Sequence, residues 1–254
     1  MLTRLNPVTL PDSAYHDLSS TINNQIYRLF IGGIRSNNTN STERPLVIIL
    51  DGNWLFASVY EYLRTQSLFD PAIVDPIVVG IGYPTDDVNT LLHNRQRDMA
   101  PLPGSIDKVD QFLSFICQDV LSFLKTELGL AFNKEILAGH SWGGAFPLYA
   151  MGSINPVFDG YLASSPSIYG TVIEKMDDHI QKLSLTKNTK LFTSLGSDEG
   201  EQFLDISETF PLLVKALEQY APNNLNYQSF IFEEENHSSV THAALAKGLR
   251  YLLD

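Results

Sequence analysis

The chain has 254 residues, with 17 Lys and Arg against 29 Asp and Glu, for a formal net charge of −12. Hydrophobic residues make up 44% and charged residues 18%. That is apolar enough for a sizeable core and, with no Lys/Arg-rich stretch, excludes a disordered chain and a nucleic-acid or anionic-membrane binder. Cys117 is the single cysteine, which excludes an intramolecular disulfide framework and a cysteine-based zinc site.

The N-terminal residues Met1 to Pro7 lack the apolar run of a signal peptide, and no window approaches the ~18 apolar residues of a membrane span. A cytoplasmic, non-membrane protein is expected, folded as a single domain over 1–254 with residues 1–20 as an irregular N-terminal arm. Ile26 to Ile31 is the first strand, ending at Gly32-Gly33, and Asn37 to Arg44 is a polar loop. Leu46 to Leu50 and Ile77 to Ile81 are continuous apolar runs, the mark of strands buried on both faces. Ser105 is the N-cap of a helix whose face carries Val109, Phe112, Leu113, Ile116, Val120, Phe123 and Leu124, with Gly129 as its stop. Cys117 borders that face and is read as a buried, inert thiol.

Strands at Glu135 to Ala138, Tyr161 to Ala163, Lys190 to Leu195 and Tyr227 to Phe232 then alternate with helices. The helices cover the stretch after Gly144, Val172 to Leu183, Phe203 to Tyr220 and Ala243 to Leu253. This alternation predicts an α/β fold: a mostly parallel central sheet, helices on both faces, and antiparallel strands at the N-terminal edge.

Gly139-His140-Ser141-Trp142-Gly143 matches the G-x-S-x-G nucleophile elbow, between a strand and a helix. A serine at the tip of so sharp a turn needs very small residues two places before and after it. The turn then lifts the Ser141 hydroxyl clear of the sheet edge. Enzymes built on this elbow follow the order nucleophile, acid, histidine. Of six histidines, His237 in Asn236-His237-Ser238-Ser239-Val240 follows the last strand, where the general base is needed. His140 would point away from the nucleophile, His16 precedes the core, His93 and His179 lie outside the required loops, and His242 falls in the final helix.

The acid must orient that imidazole, and Gly196-Ser197-Asp198-Glu199-Gly200-Glu201 offers three carboxylates after a strand. Spacing does not separate Asp198 from Glu199, and the run Glu233 to Glu235 is read as a solvated strand end. The oxyanion hole needs two preorganised N–H donors. Trp142, after the serine, supplies one; Asn53 in Leu50-Asp51-Gly52-Asn53 supplies the second, with Gly52 as the other choice.

From about Gln25 to Leu253 the chain resembles the putative-esterase branch of the α/β-hydrolases. The resemblance rests on six pieces in order: Leu50 to Asn53, Val79 to Pro84, Arg95 to Pro101, Gly139 to Gly144, Ser164 to Ser167, and Asn236 to Val240. Within that branch the chain most resembles the ferric-siderophore esterases, which open the trilactone of enterobactin- or bacillibactin-type siderophores. The resemblance implies the α/β-hydrolase fold, a Ser141–His237–acid triad and Glu199 over Asp198 as the acid. It also matches Arg97 to an arginine near the cleft that could hold an anionic group. Arg95 is the weaker candidate, and a structural ion pair with Asp98 is the competing reading of these arginines.

Ile168-Tyr169 after Ser-Pro-Ser, the bulky Trp142 and the helical Pro147 depart from the family's pattern and bear on the substrate. The expected function is a serine carboxylic-ester hydrolase acting through an acyl-enzyme on a small-molecule ester, with no metal or organic cofactor. Siderophore trilactone is the leading substrate, although a −12 chain repels a triply anionic ferric complex unless Arg35, Arg44, Arg95, Arg97 or Lys108 form a local basic patch. The alternatives are an esterase of small or carbohydrate-linked acyl esters, an acyltransferase using the same triad, and a silent binding protein on the same scaffold.

Overall fold

The computed structural model describes residues 8–34, 44–70, 73–102, 104–153, 155–168, 176–201 and 204–254. Arg35, Tyr169, Phe203, most of the polar loop at 37–44 and the start of the 172–183 helical segment lie outside the described residues.

Eight strands form one sheet in the order β1-β2-β4-β3-β5-β6-β7-β8. They are β1 (Ser13–Ser19), β2 (Ile26–Gly32), β3 (Pro45–Ile49), β4 (Ile77–Gly82), β5 (Lys134–His140), β6 (Gly160–Ser164), β7 (Thr189–Gly196) and β8 (Leu225–Phe232). β1 and β2 run antiparallel at one edge, and the six strands from β4 to β8 are mutually parallel. This is the α/β-hydrolase fold, with the antiparallel N-terminal edge that the sequence predicts.

The helices are α1 (Gly52–Phe69), α2 (Val88–Met99), α3 (Ile106–Ser114), α4 (Trp142–Met151), α5 (Met176–Gln181), α6 (Leu204–Tyr220) and α7 (Val240–Leu253). The strands' period of two divides the core between the two faces. Leu46, Ile48 and Leu50 pack with Leu137, Tyr161, Ala163 and Leu191 under α2 to α6. Val47 and Ile49 pack with Ile136, Ala138, Leu162 and Phe192 under α1 and α7. Both faces being covered is why these strands are apolar at every position.

Three expectations change. Residues 13–19 are not an irregular arm: they pair with β2 along seven residues, from Ser13 opposite Gly32 to Ser19 opposite Ile26. β1 is exposed along most of its length, so it carries no apolar alternation by which it could be read. Ser105 begins α3 through its carbonyl, which accepts from the N–H groups of Lys108 and Val109, but its side chain does not cap. Its Oγ instead closes the preceding turn, donating to the Ala100 carbonyl at 2.6 Å and accepting from the Leu102 N–H at 2.9 Å. Beyond Ser114 the helix widens into π turns at Phe115–Val120 and Phe123–Glu127, ending before Gly129 at φ +63°. Among the described residues no helix is long and apolar enough to cross a membrane.

Candidate active site

The C-terminal ends of the parallel strands converge on Ser141. It sits between β5 and α4 at φ 62°, ψ −122°, a conformation that costs a non-glycine residue about 1–3 kcal/mol and is held by its surroundings. The Ser141 N–H donates to the Ser164 carbonyl at 2.9 Å, and the Ser141 carbonyl accepts from the N–H groups of Gly144 and Ala145, starting α4. The small flanking residues are required sterically: a methyl at Gly139 would strike the Gly143 carbonyl, and one at Gly144 the Ser164 carbonyl. The Gly143 carbonyl is also the one that Pro147 cannot bond from one turn on, yet α4 runs unbroken through Pro147.

His237 follows β8, is buried, and has Nδ1 2.8 Å from Glu199 Oε2. Glu199 is fully buried at the start of a 3-10 turn (Glu199–Glu201) after β7. Its second oxygen accepts from the Gly196 N–H at 2.8 Å and the Ser165 hydroxyl at 2.5 Å. Asp198 is exposed and accepts from Ser197 Oγ. Two neighbouring carboxylates that spacing leaves equivalent are therefore separated by burial and by which one meets the imidazole.

His140 lies tilted against His237, their ring centroids 4.5 Å apart and their planes at 42°, with its Nδ1 3.0 Å from Ser164 Oγ. Burial first, then the neighbouring His237 and Arg95, pushes its pKa down to about 3, so it is neutral at ordinary pH. The remaining histidines have structural neighbours: His16 stacks on Phe123, His179 approaches the Leu148 carbonyl, and His242 meets Ser58 Oγ from within α7. His93 is exposed on α2.

Trp142 is the first residue of α4 and Asn53 the second of α1, so neither N–H has a partner within its own helix. The Asn53 side chain is engaged elsewhere. Its Oδ1 accepts from the Tyr83 N–H at 2.8 Å and its Nδ2 donates to the carbonyls of Tyr83 and Thr85, pinning the loop to the end of β4. Ser167 Oγ lies 3.2 Å from Ser141 Oγ.

The two arginines of α2 part company. Arg97 forms a two-point pair with Asp98, at 2.7 and 2.6 Å, and donates to Gln25 and Asn94, while Asp98 also accepts from the Tyr83 hydroxyl. The structural ion pair is thus the arrangement formed at Arg97. Arg95, in contrast, reaches the elbow, donating to Asp51 Oδ1 at 2.7 Å and to the His140 carbonyl at 3.2 Å. Arg44 is equally committed, to Asp75 and the Gly33 carbonyl, and Lys108 is exposed on α3. Cys117 is half-buried, and burial raises its thiol to about 11, in keeping with an inert role. Sequence reasoning missed Asp51 and Ser165. The Asp51-Gly52 step and the serine doublet Ser164-Ser165 at the end of β6 were the available signals.

The chain is 27% identical to the siderophore enterobactin esterase of Emericella nidulans, over 81% of each chain. It is 25% identical to the ferri-bacillibactin esterase BesA of Bacillus subtilis, over 98% of this chain and 92% of that one. The structure of the BES protein from Bacillus cereus superposes with a TM-score of 0.83 at 26% identity, covering 99% of this chain and 98% of that one. The model of the family described as "Putative esterase" matches residues 34–224, well over half the chain. The chain belongs to this Putative esterase family and is a carboxylic-ester hydrolase.

Proposed function

We propose that this ester hydrolase opens the ester bonds of a siderophore through a covalent acyl-enzyme, with Ser141 as nucleophile, His237 as general base and Glu199 as the acid that orients it. The observation carrying this reading is the 2.8 Å contact from His237 Nδ1 to the buried Glu199, beside a serine held at φ 62°. Glu199 holds the proton of His237 on Nδ1, which leaves Nε2 to accept the Ser141 proton during attack on the ester carbonyl. The tetrahedral oxyanion is bound by the N–H groups of Trp142 and Asn53, each worth about 3 kcal/mol in the transition state. The C–O bond to the alcohol then breaks, and His237 returns the proton to the departing oxygen. Water, deprotonated by the same nitrogen, adds to the acyl carbonyl, and collapse frees the carboxylic acid and restores Ser141.

The substrate class is supported by the two curated relatives, both named for siderophore ester cleavage, with coverage of most of each chain. The test compares initial rates on an iron-loaded catecholate trilactone and on p-nitrophenyl acetate, with Ser141→Ala as the blank. Faster cleavage of the trilactone is expected, with no turnover of either ester by a folded Ser141→Ala. Turnover of the small ester alone would overturn the siderophore reading, and an active Ser141→Ala would overturn the mechanism.

A further inference from the structure

Arg95 stands where an anion-binding residue would be sought, yet its guanidinium is occupied on two sides. It pairs with Asp51 at 2.7 Å, with the two side chains only 11% and 4% exposed, and it donates to the carbonyl of His140, the residue before the nucleophile. Its cationic carbon lies 5.4 Å from the ring centroid of Trp142 and 5.8 Å from that of Trp54. Asp51 is no less constrained. It adopts φ 57°, its carbonyl accepts from the N–H groups of Trp54 and Leu55 to start α1, and its Oδ2 lies where a methyl on Gly143 would come within 2.9 Å.

One side chain therefore ties together two segments far apart in sequence. One segment is His140-Ser141-Trp142, which carries the first N–H of the oxyanion hole. The other is Asp51-Gly52-Asn53-Trp54, which carries the second. We propose that Arg95 is a positioning residue: it braces the two halves of the oxyanion hole at a fixed separation and compensates the Asp51 carboxylate beside it. This rests on the reading of Ser141 and the oxyanion hole given above.

The charge argument runs in the same direction as the geometry. A bare carboxylate against the first turn of α4 would oppose the negative charge that develops on the substrate oxygen, and a guanidinium bonded to it cancels most of that field. The cation is consequently engaged before any substrate arrives, and it acts on the transition state rather than on a substrate anion. A planar guanidinium suits the task because it reaches a carboxylate and a carbonyl at once while lying against aromatic rings, which a lysine cannot reproduce.

The test uses two esters with one leaving group, neutral p-nitrophenyl acetate and anionic mono-p-nitrophenyl succinate, together with a trifluoromethyl ketone whose adduct places an oxyanion in the hole. For Arg95→Gln, kcat is expected to fall by about 10²-fold on both esters, the scale of a displaced or lost oxyanion donor. KM should change little for either, and the ketone's inhibition constant should weaken in parallel with kcat/KM. Adding Asp51→Asn to Arg95→Gln should restore part of kcat, because the uncompensated carboxylate is gone. A substrate-anion receptor would give the opposite pattern, a raised KM for the succinate alone with kcat within about threefold of wild type, and that result would overturn the proposal. If Arg95→Gln does not fold, Arg95→Lys, which keeps the charge but cannot reach both acceptors, should show the same equal loss on the two esters at smaller amplitude; a loss confined to the succinate overturns the proposal there too. The wild type and Ser141→Ala measured alongside test the serine mechanism separately, since an active Ser141→Ala condemns that mechanism whatever Arg95 does.

Discussion

Glu199→Gln isolates the acid's role because the structure dictates how the amide must sit. In the native protein Oε1 accepts from the Gly196 N–H and the Ser165 hydroxyl, while Oε2 faces His237 Nδ1. A glutamine must keep its carbonyl at the Oε1 place, since the reverse orientation would set an NH₂ against the Gly196 donor and leave buried groups unpaired, at about 1–3 kcal/mol each. The NH₂ then faces His237 Nδ1, which has to become an acceptor, and the ring proton moves to Nε2. An imidazole in that tautomer cannot take the Ser141 proton. The expected loss in kcat is about 10³–10⁴-fold, the scale seen when a triad carboxylate is replaced by its amide, or roughly 4–5.5 kcal/mol of transition-state stabilisation. Steady-state kinetics on p-nitrophenyl acetate, with circular dichroism and thermal melting to establish folding, measures it. Asp198→Asn is the control and should leave kcat unchanged. A folded Glu199→Gln within tenfold of wild type would refute the assignment of Glu199.

His140 makes stability depend on pH. Its folded pKa of about 3 lies below the ordinary value of 6.5, so the unfolded chain binds the extra proton first. The neutral ring's contribution is fully present above about pH 6.5 and is lost progressively as pH falls toward 3, at about 1.4 kcal/mol per pH unit. Urea unfolding between about pH 7 and about pH 5 should therefore lose roughly 2 kcal/mol less in His140→Gln than in the wild type; an unchanged slope would disprove a buried neutral His140. Gly143→Ala sets a methyl 2.9 Å from the Asp51 carboxylate, which Arg95 prevents from yielding. Activity should drop by about 10²-fold and stability by about 1–3 kcal/mol, and full activity in a folded variant would contradict the close approach. The net charge of −12 should slow encounter with a triply anionic iron complex. Its kcat/KM should thus rise as salt shortens the Debye length from ~30 Å at 0.01 M to ~10 Å at 0.1 M, while that of a neutral ester stays flat. A trilactone rate that falls with salt would reveal a local positive field at the site.

Elements were legible in the sequence in proportion to how many of their faces are buried. β3 and β4 are apolar at every position because helices cover both sides of the sheet, so their runs stand out. β1 is exposed along most of its length, and its Ser-Ala-Tyr-His-Asp-Leu-Ser holds no period to detect. α2 was equally silent, since only Leu91, Asp98 and Met99 of its twelve residues are buried. α1 was hidden by its own start. Gly52-Asn53 carries turn-forming residues, but here Asp51 at φ 57° turns the chain directly into a helix. The sequence singles out the loop at Asp51-Gly52-Asn53 but gives no sign of the helix that follows.

For the site, the reach of the sequence depended on whether a role is set by position along the chain or by direction in space. Ser141 and His237 occupy positions that strand order alone defines, after β5 and after β8, and the structure puts the two loops side by side. Asp198 and Glu199 are adjacent, so order cannot part them; the 3-10 turn does, by carrying Glu199 inward to the Gly196 N–H and the imidazole. Arg95 and Arg97 pose the same problem on a helix. Two residues apart, they point about 200° apart around the axis. A motif match that finds both arginines in one stretch therefore says nothing about which faces the elbow. Here the inward direction falls to Arg95, and Arg97 is turned toward Asp98, Asn94 and Gln25 at the foot of β2. What decides between them is the register of α2, which is fixed by Leu91 and Met99 packing into the core. Those are two apolar residues of no chemical interest, and they assign the charge chemistry of the site.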